Sequence, residues 1–357
     1  MDFFQEYKGK TVLITGDTGF KGSWLALWLS KLGATVTGIG LDPKTSRDNY
    51  LVCGLGSFIT HHTCDIRHYD DIQNIFSITN PDMVFHLAAQ PLVSESYASP
   101  RETFEANTQG TANILEAIRH TPSIRAGVMV TSDKCYENRE WVHGYRETDR
   151  LGGHDPYSAS KGAAEIIISS YIRSFFSDDS TPVISSARAG NVIGGGDWSK
   201  DRIIPDFMRS LEERKPIVLR NSTSVRPWQH VLEPLYGYLL LGAMMSAGGH
   251  SFSGAWNFGP LSRNNLTVED LIRRFIEQSK QGKLKIPDRR GNFHEAGFLS
   301  LDVSKAVHHL GWHPVLDIDT MIQFTLDEYR IEGMSAESVF NQRCAHIDEY
   351  MNLQKRV

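Results

Sequence analysis

Residues 11–33 read TVLITGDTGFKGSWLALWLSKLG, and this stretch limits the fold most tightly. TVLIT (11–15) is a short apolar run of the kind a buried strand needs. WLALWLSKLG (24–33) carries apolar residues at helical spacing and ends at Gly33. Between them Gly16, Gly19 and Gly22 stand in a GxxGxxG spacing. Glycine at such a strand-to-helix turn lets the backbone reverse tightly, lets a diphosphate approach it, and lets the helix pack on the sheet. The exposed N–H groups and the positive helix end then hold phosphate. No GK[ST] follows, so the spacing is not that of a phosphate loop. Three glycines making a tight turn that binds nothing is the plainer alternative. The strand before and the helix after favour a nucleotide, with Gly16, Gly19, Phe20, Lys21 and Gly22 as its contacts.

The same rhythm continues through the first half of the chain. ATVTGIG, DMVFHLAA (82–89), AGVMV and PVISSARAGNVIG read as strands. DDIQNIF, FEANTQGTANILEAIRH and YSASKGAAEIIISSYIRSFF read as the helices among them. Such alternation implies βαβ units, hence an α/β fold with a parallel sheet. Beyond about Gly194 the rhythm changes: GGGDW, RPWQH and WNFGP are irregular, Trp-bearing and separated by helices. LYGYLLLGAMM (235–245) reads as a buried helix. The expected organisation is a nucleotide-binding domain over 1–190 and a smaller mixed α/β lobe over 191–357, some of whose segments return to the first domain. A net charge of −5 without a basic block gives no reason to expect nucleic acid. No run approaches the ~20 apolar residues that a membrane helix needs, so no membrane is expected. Cys53, Cys64, Cys135 and Cys344 are widely spaced, which argues against a disulfide framework or a metal site and for a reducing cytoplasm.

The adenosine end of a dinucleotide is often marked by an acid after the second strand. Here that strand runs into Gly40-Leu41-Asp42, and Asp42 suits either a ribose or the start of an Asp-Pro turn. No arginine adjoins it to receive a 2′-phosphate, which favours NAD over NADP. Asp65, followed by Ile66, ends a third short strand and is placed to accept from an adenine amino group; the alternative is a helix N-cap. HLAAQ (86–90) sets Leu87, Ala88 and Ala89 where a cofactor passes close to a strand end, with simple packing as the alternative. Gln90 beside them is a candidate substrate contact.

Tyr157 and Lys161 in DPYSASKGAAE are four apart at a helix start and share one face. A tyrosine with a pKa of about 10 is a poor base at neutral pH, and a nearby cation favours its phenolate. Upstream, TSDKCYEN (131–138) sets Ser132, Asp133 and Lys134 at a strand end. A surface Tyr and Lys, and a surface salt pair after a strand, are the ordinary alternatives. Agreement among the glycine loop, the serine, the tyrosine and the lysine outweighs any one of them.

These motifs, with NTQGT, ARAGNVIG, VRPWQHV, WNFGP and LGWHP (310–314), resemble the extended short-chain dehydrogenase/reductase family over most of the chain. AAQPLV, TSDKCYEN, GNVIGGGDW and RPWQHVLEPL are similar to its sugar-nucleotide 4,6-dehydratase branch. The resemblance implies a Rossmann-type doubly wound sheet holding NAD and a C-terminal lobe holding CDP-glucose as small-molecule substrate. It also implies a homodimer or dimer of dimers, and a place in deoxysugar (O-antigen, lipopolysaccharide) synthesis. Epimerases of the family carry Ser or Thr at the strand end without a neighbouring acid, whereas its dehydratases carry Asp followed by Glu. Lys134 stands where that Glu would be, so removal of the C5 proton is left open between Lys134 and another group. The implied chemistry has Tyr157 taking the 4-hydroxyl proton as hydride leaves C4, Asp133 protonating the departing 6-hydroxyl, and hydride returning to C6. Asn191, Arg202 and Arg226 resemble positions that touch the sugar or diphosphate; Arg202 reads equally as structural, and Arg226 alternatively as an inter-strand ion pair. Arg289 and Arg290 lie near where relatives place another diphosphate arginine, and His294 is a further polar candidate. HHLGWH (308–313) reads as a helix end, and Trp228 and Trp256 as core. A sugar-nucleotide 4-epimerase and a catalytically silent NAD-binding scaffold are the rival functions.

Overall fold

The structure is a computed structural model and describes residues 3–219, 221–260, 265–287 and 297–356. Its centre is a sheet of seven strands: β1 (Thr11–Thr15), β2 (Thr35–Gly40), β3 (Thr60–Thr63), β4 (Met83–His86), β5 (Ala126–Val130), β6 (Val183–Ala189) and β7 (Gly254–Phe258). All pair in parallel, in the order β7-β6-β5-β4-β1-β2-β3. The chain winds outward from β1 to β3, then returns and winds the other way from β4. This reversal opens a crevice beyond the carboxyl ends of β1 and β4. Thr15 and His86 face each other there. His86 Nδ1 pairs with Thr15 Oγ1 at 2.7 Å and its Nε2 with Thr111 Oγ1 at 3.2 Å. Burial, with the charge of Lys161, pushes this histidine down to about 3, so it bridges as a neutral ring.

Nine helices used below are α1 (Phe20–Lys31), α2 (Tyr69–Thr79), α3 (Gly110–Arg119), α4 (Pro156–Phe175), α5 (Ile203–Glu212), α6 (Leu232–Gly248), α7 (Val268–Ser279), α8 (Ile318–Tyr329) and α9 (Ala336–Gln354). Helices α1 and α6 share a core with one face of the sheet, and α2, α3 and α4 with the other. A sheet covered on both faces has continuous apolar strands rather than alternating ones, which is why AGVMV is buried throughout. Trp24 through Leu29 of α1 are likewise all buried, because α9 covers the helix from outside; the Trp28 and Tyr350 rings meet edge-on at 6.0 Å. A separate core, including Phe207, Leu271, Phe275 and Met321, holds α5, α7 and α8 together as the lobe.

Two local expectations are corrected. WNFGP is not irregular, since Trp256, Asn257 and Phe258 lie in β7. The apolar signature is broken by Asn257, whose carboxamide donates to the Tyr145 and Asp302 carbonyls and accepts from the Tyr136 hydroxyl. FEANTQGTANILEAIRH is not one regular helix, because a π-turn spans Glu105–Gln109 ahead of α3. Within that turn Asn107 exchanges two hydrogen bonds with the Gln90 backbone and donates to Ser160 Oγ. The wider turn thereby ties the end of β4 to α4.

Candidate functional site

Every candidate named above for cofactor, substrate or catalysis from Gly16 to Arg226 lines one cleft of about 1980 Å³ over the carboxyl edge of the sheet. Pockets for drug-sized ligands measure roughly 300–1,000 Å³, so the cleft has room for a dinucleotide and a second nucleotide ligand together. Arg289, Arg290 and His294 lie outside the described residues.

At one end sits the glycine loop. Gly16 has φ +79, and a Cβ there would lie 2.7 Å from the Ala88 nitrogen. A Cβ on Gly22 would lie 1.9 Å from the Gly16 carbonyl oxygen. Both glycines are therefore required by the fold of the loop itself. Gly19 is the N-cap of α1 and supplies no side-chain cap, which leaves the first-turn N–H groups free to face an anion. Asp42, at the end of β2, accepts from the Thr63 hydroxyl at 3.0 Å. Asp65 does not cap α2, whose N-cap is His68; it pairs instead with Arg67, which holds its carboxyl below the usual range. Acidic groups at the far end and free N–H groups at the loop form a cradle that fits a dinucleotide, adenosine outward and diphosphate at α1.

The other end is built where β5 stops. Ser132 caps the short turn Asp133–Cys135, accepting from the Lys134 N–H at 3.2 Å and donating to Asp133 Oδ1 at 3.0 Å. Asp133 is 1% exposed, and its Oδ2 has no hydrogen-bond partner among the described residues. Pro156 and the Asp155 cap start α4, which brings Tyr157 and Lys161 to the same place. Burial pushes Tyr157 up to about 12, against a hydrogen bond from Ser132 and the charge of Arg202. Lys161 is lowered by burial to about 8, with Glu165 acting upward. One cation pulling the phenol toward its phenolate is thus Arg202, from the lobe. Helical spacing alone pointed to Lys161.

Arg202 is itself held by Asp197, Nη1 to Oδ2 at 2.9 Å. The GNVIGGGDW loop that carries Asp197 is fixed from behind by Glu328 of α8. That buried carboxylate accepts from the Gly195 N–H at 2.6 Å and pairs with His230 and His346. Burial acts upward on Glu328, but the two histidines and Arg343 outweigh it and keep the group ionised. Behind Lys161, Glu165 accepts from Arg188 at 2.7 Å and Ser186 at 2.8 Å, and from Thr131, tying α4 to the ends of β5 and β6.

The remaining candidates differ in what they offer. Asn191 presents a buried Oδ1 without a partner among the described residues. Gln90 spends its side chain on Leu92 and Thr103, so it braces its own loop. Arg226 donates to the Val225 carbonyl and toward Gly297 at the rim. Trp228 and Trp256 are buried, and HHLGWH closes a helix at Gly311 in the left-handed conformation. Three contributors escaped the sequence reading: Glu165, one turn beyond Lys161; Asp197, inside the quoted GGGDW; and Tyr238 of α6, which Lys21 reaches at 3.5 Å.

The family model described as GDP-mannose 4,6 dehydratase matches residues 13–325. The CDP-glucose 4,6-dehydratase of Salmonella typhimurium is 46% identical over 312 residues, covering 86% of this chain and 87% of that protein. The UDP-glucose 4-epimerase of Thermus thermophilus, solved in complex with NAD, superposes with a TM-score of 0.77 at 24% identity over 90% of this chain and 99% of that one. An epimerase from Methanothermobacter thermautotrophicus gives 0.78 at 22% identity over 98% and 97%. A match over most of the chain, on a doubly wound sheet with this cleft at its switch point, makes the protein a member of the GDP-mannose 4,6-dehydratase family.

Proposed function

We propose that the chain converts CDP-D-glucose to CDP-4-keto-6-deoxy-D-glucose and water, with NAD held in the cleft throughout. The family membership and the Salmonella relative support the reaction, and the cradle around Gly16, Gly19 and Gly22 supports the cofactor. When bound, the dinucleotide supplies a hydride acceptor for C4 and a donor for C6. The protein's residues do the rest. Tyr157 takes the 4-hydroxyl proton, helped by Ser132 and Arg202. Lys161 stands on the same helix face to hold the cofactor side. Asp133 is the acid that protonates the departing 6-hydroxyl. Arg202, Arg226 and Asn191 face the sugar diphosphate, a task to which the guanidinium fork is suited.

The observation that carries the dehydration is Asp133. Its Oδ2 is buried in the cleft without a hydrogen-bond partner among the described residues, which leaves that oxygen open to a hydroxyl of the sugar. A 4-epimerase has no task for such an acid. The assignment of residues 1–190 to the cofactor and 191–357 mainly to the nucleotide sugar is supported by the separate lobe core. A homodimer or dimer of dimers is supported by apolar Ile166 and Phe104, 60% and 39% exposed on neighbouring helices. Unpaired thiols at all four cysteines fit the cytoplasm.

The test is turnover on CDP-, dTDP-, UDP- and GDP-glucose in D2O. CDP-glucose alone should give a 4-keto-6-deoxy sugar labelled at C5. A C4 epimer without C5 label, or reduced NAD released stoichiometrically into solution, refutes the reading.

A further inference from the structure

Successive glycines at 194–196 precede Asp197, and the packing behind them explains two. A Cβ on Gly195 would lie 2.2 Å from the Glu328 Cβ, and one on Gly196 would lie 2.4 Å from the Asn49 Cβ. The backbone is therefore pressed against both side chains, as glycine alone allows. The peptide groups of this turn are taken by separate segments. The Gly195 N–H donates to Glu328 Oε2 at 2.6 Å, and the Gly195 carbonyl accepts from Trp24 Nε1 at 2.9 Å. The Asp197 carbonyl accepts from the Tyr329 hydroxyl at 2.5 Å. Trp24 belongs to α1, the helix whose first turn faces the cofactor cradle, whereas Glu328 and Tyr329 belong to α8 of the lobe. The turn is thus gauged from both sides of the cleft at once.

We propose that Glu328 is a positioning residue for the substrate's diphosphate: through Gly195 and Asp197 it sets where the Arg202 guanidinium stands in the cleft. The proposal rests on the reading above in giving Arg202 the sugar diphosphate. Glu328 is fully buried behind the loop. Its Oε2 also pairs with His230 at 3.1 Å and its Oε1 with His346 of α9 at 2.9 Å, so the carboxylate is anchored independently of the loop it holds. From Gly195 the restraint passes over two residues to Asp197, which is 3% exposed. Asp197 Oδ1 accepts from the Ser199 N–H at 3.0 Å, and Oδ2 accepts from Arg202 Nη1 at 2.9 Å. Arg202 starts α5 as its N-cap and lines the cleft. Asp197 engages Nη1, which leaves further N–H donors of the fork for an anion. A planar fork must meet phosphate oxygens in register, so it tolerates little displacement. A long side chain fixed beforehand also spares the binding step the cost of ordering it.

CDP affinity is titrated on NAD-loaded protein for Glu328→Met, Glu328→Gln and Gly195→Ala, each with and without Arg202→Met. Glu328→Met removes the acceptor, and Gly195→Ala forces the same contact open from the other side. Each should weaken CDP at least about tenfold, with NAD affinity within about threefold of wild type. Glu328→Gln keeps an oxygen for the Gly195 N–H and should lose less than Glu328→Met. A residue that acts through Arg202 has nothing to add once that guanidinium is gone, so beside Arg202→Met each substitution should cost less than about twofold more. A merely structural role would leave the losses multiplying instead. The proposal is overturned if Glu328→Met or Gly195→Ala binds CDP within about twofold of wild type, or if their losses persist in full beside Arg202→Met. It is overturned equally if NAD affinity falls in step, or if Arg202→Met alone binds CDP normally. Where Glu328→Met does not fold, Gly195→Ala and its double variant with Arg202→Met decide. Turnover is the separate readout: wild-type protein that shows this coupling toward CDP but forms no 4-keto-6-deoxy sugar overturns the dehydratase reading and supports the positioning role.

Discussion

Replacing Arg188 by methionine isolates the buried ion pair that stands behind the reacting end. The Arg188 and Glu165 side chains are 4% and 3% exposed, with Nη2 and Oε2 2.7 Å apart. At an effective dielectric of about 20, unit charges at that spacing attract by about 6 kcal/mol. Desolvating each ion costs several kcal/mol, so the intact pair comes near to breaking even. Removing one partner does not, because Glu165 keeps its desolvation cost and loses the attraction. Methionine has a similar volume, which keeps any cavity small. The Tyr136 hydroxyl, which accepts from Arg188 Nη1 at 2.6 Å, loses that donor as well. The expected loss is about 3–5 kcal/mol, a large share of the 5–15 kcal/mol that holds a typical domain. Urea unfolding should show it as a lower midpoint with an unchanged slope. Adding Glu165→Gln removes the stranded charge, keeps an acceptor oxygen for Thr131 and offers an amide N–H to the Ser186 hydroxyl, which can turn to accept it. The double variant should therefore recover at least about 2 kcal/mol relative to Arg188→Met. A loss below about 1 kcal/mol for Arg188→Met, or strictly additive losses, would refute the reasoning.

Asp133→Asn should allow C4 oxidation but stall elimination, with reduced NAD accumulating on the enzyme and turnover down about 10²–10⁴-fold; normal turnover in a steady-state assay moves the acid elsewhere. Gly22→Ala must displace the loop, since its Cβ would overlap the Gly16 carbonyl, and NAD affinity measured by titration should drop at least about tenfold. Glu233 is buried against the Val315 and Leu316 N–H groups and the Tyr350 hydroxyl, and burial raises it to about 7 from 4.5. The folded state thus binds more protons between those values. Its stabilising contribution is complete below about 4.5 and is lost as pH rises through about 7. Unfolding midpoints of the wild type should decline across that window relative to Glu233→Gln, and parallel curves would contradict the assignment.

The loop from Gly16 to Gly22, the Tyr157/Lys161 pair and the Ser132–Asp133 strand end were legible because each is local. A glycine where a Cβ cannot fit, two residues four apart on a helix and a polar cluster at the end of an apolar run are all set by near neighbours in the chain. The same locality explains the misreadings. Asn257 hid β7 because its partners are Tyr136, Tyr145 and Asp302, and nothing in WNFGP announces them. Nothing in HLAAQ announces that the Gln90 side chain also bonds Leu92 and Thr103.

By itself, then, the order of residues determined a parallel α/β sheet, a nucleotide cradle at its first turn and the set of groups capable of acid–base work. Tertiary structure decided the protonation chemistry of those groups. Proton affinity depends on burial and on charges brought from distant segments. Arg202 lies 45 residues beyond Tyr157, yet its charge acts on the phenol. Such encounters exist only once the sheet has assembled and the lobe lies over its edge.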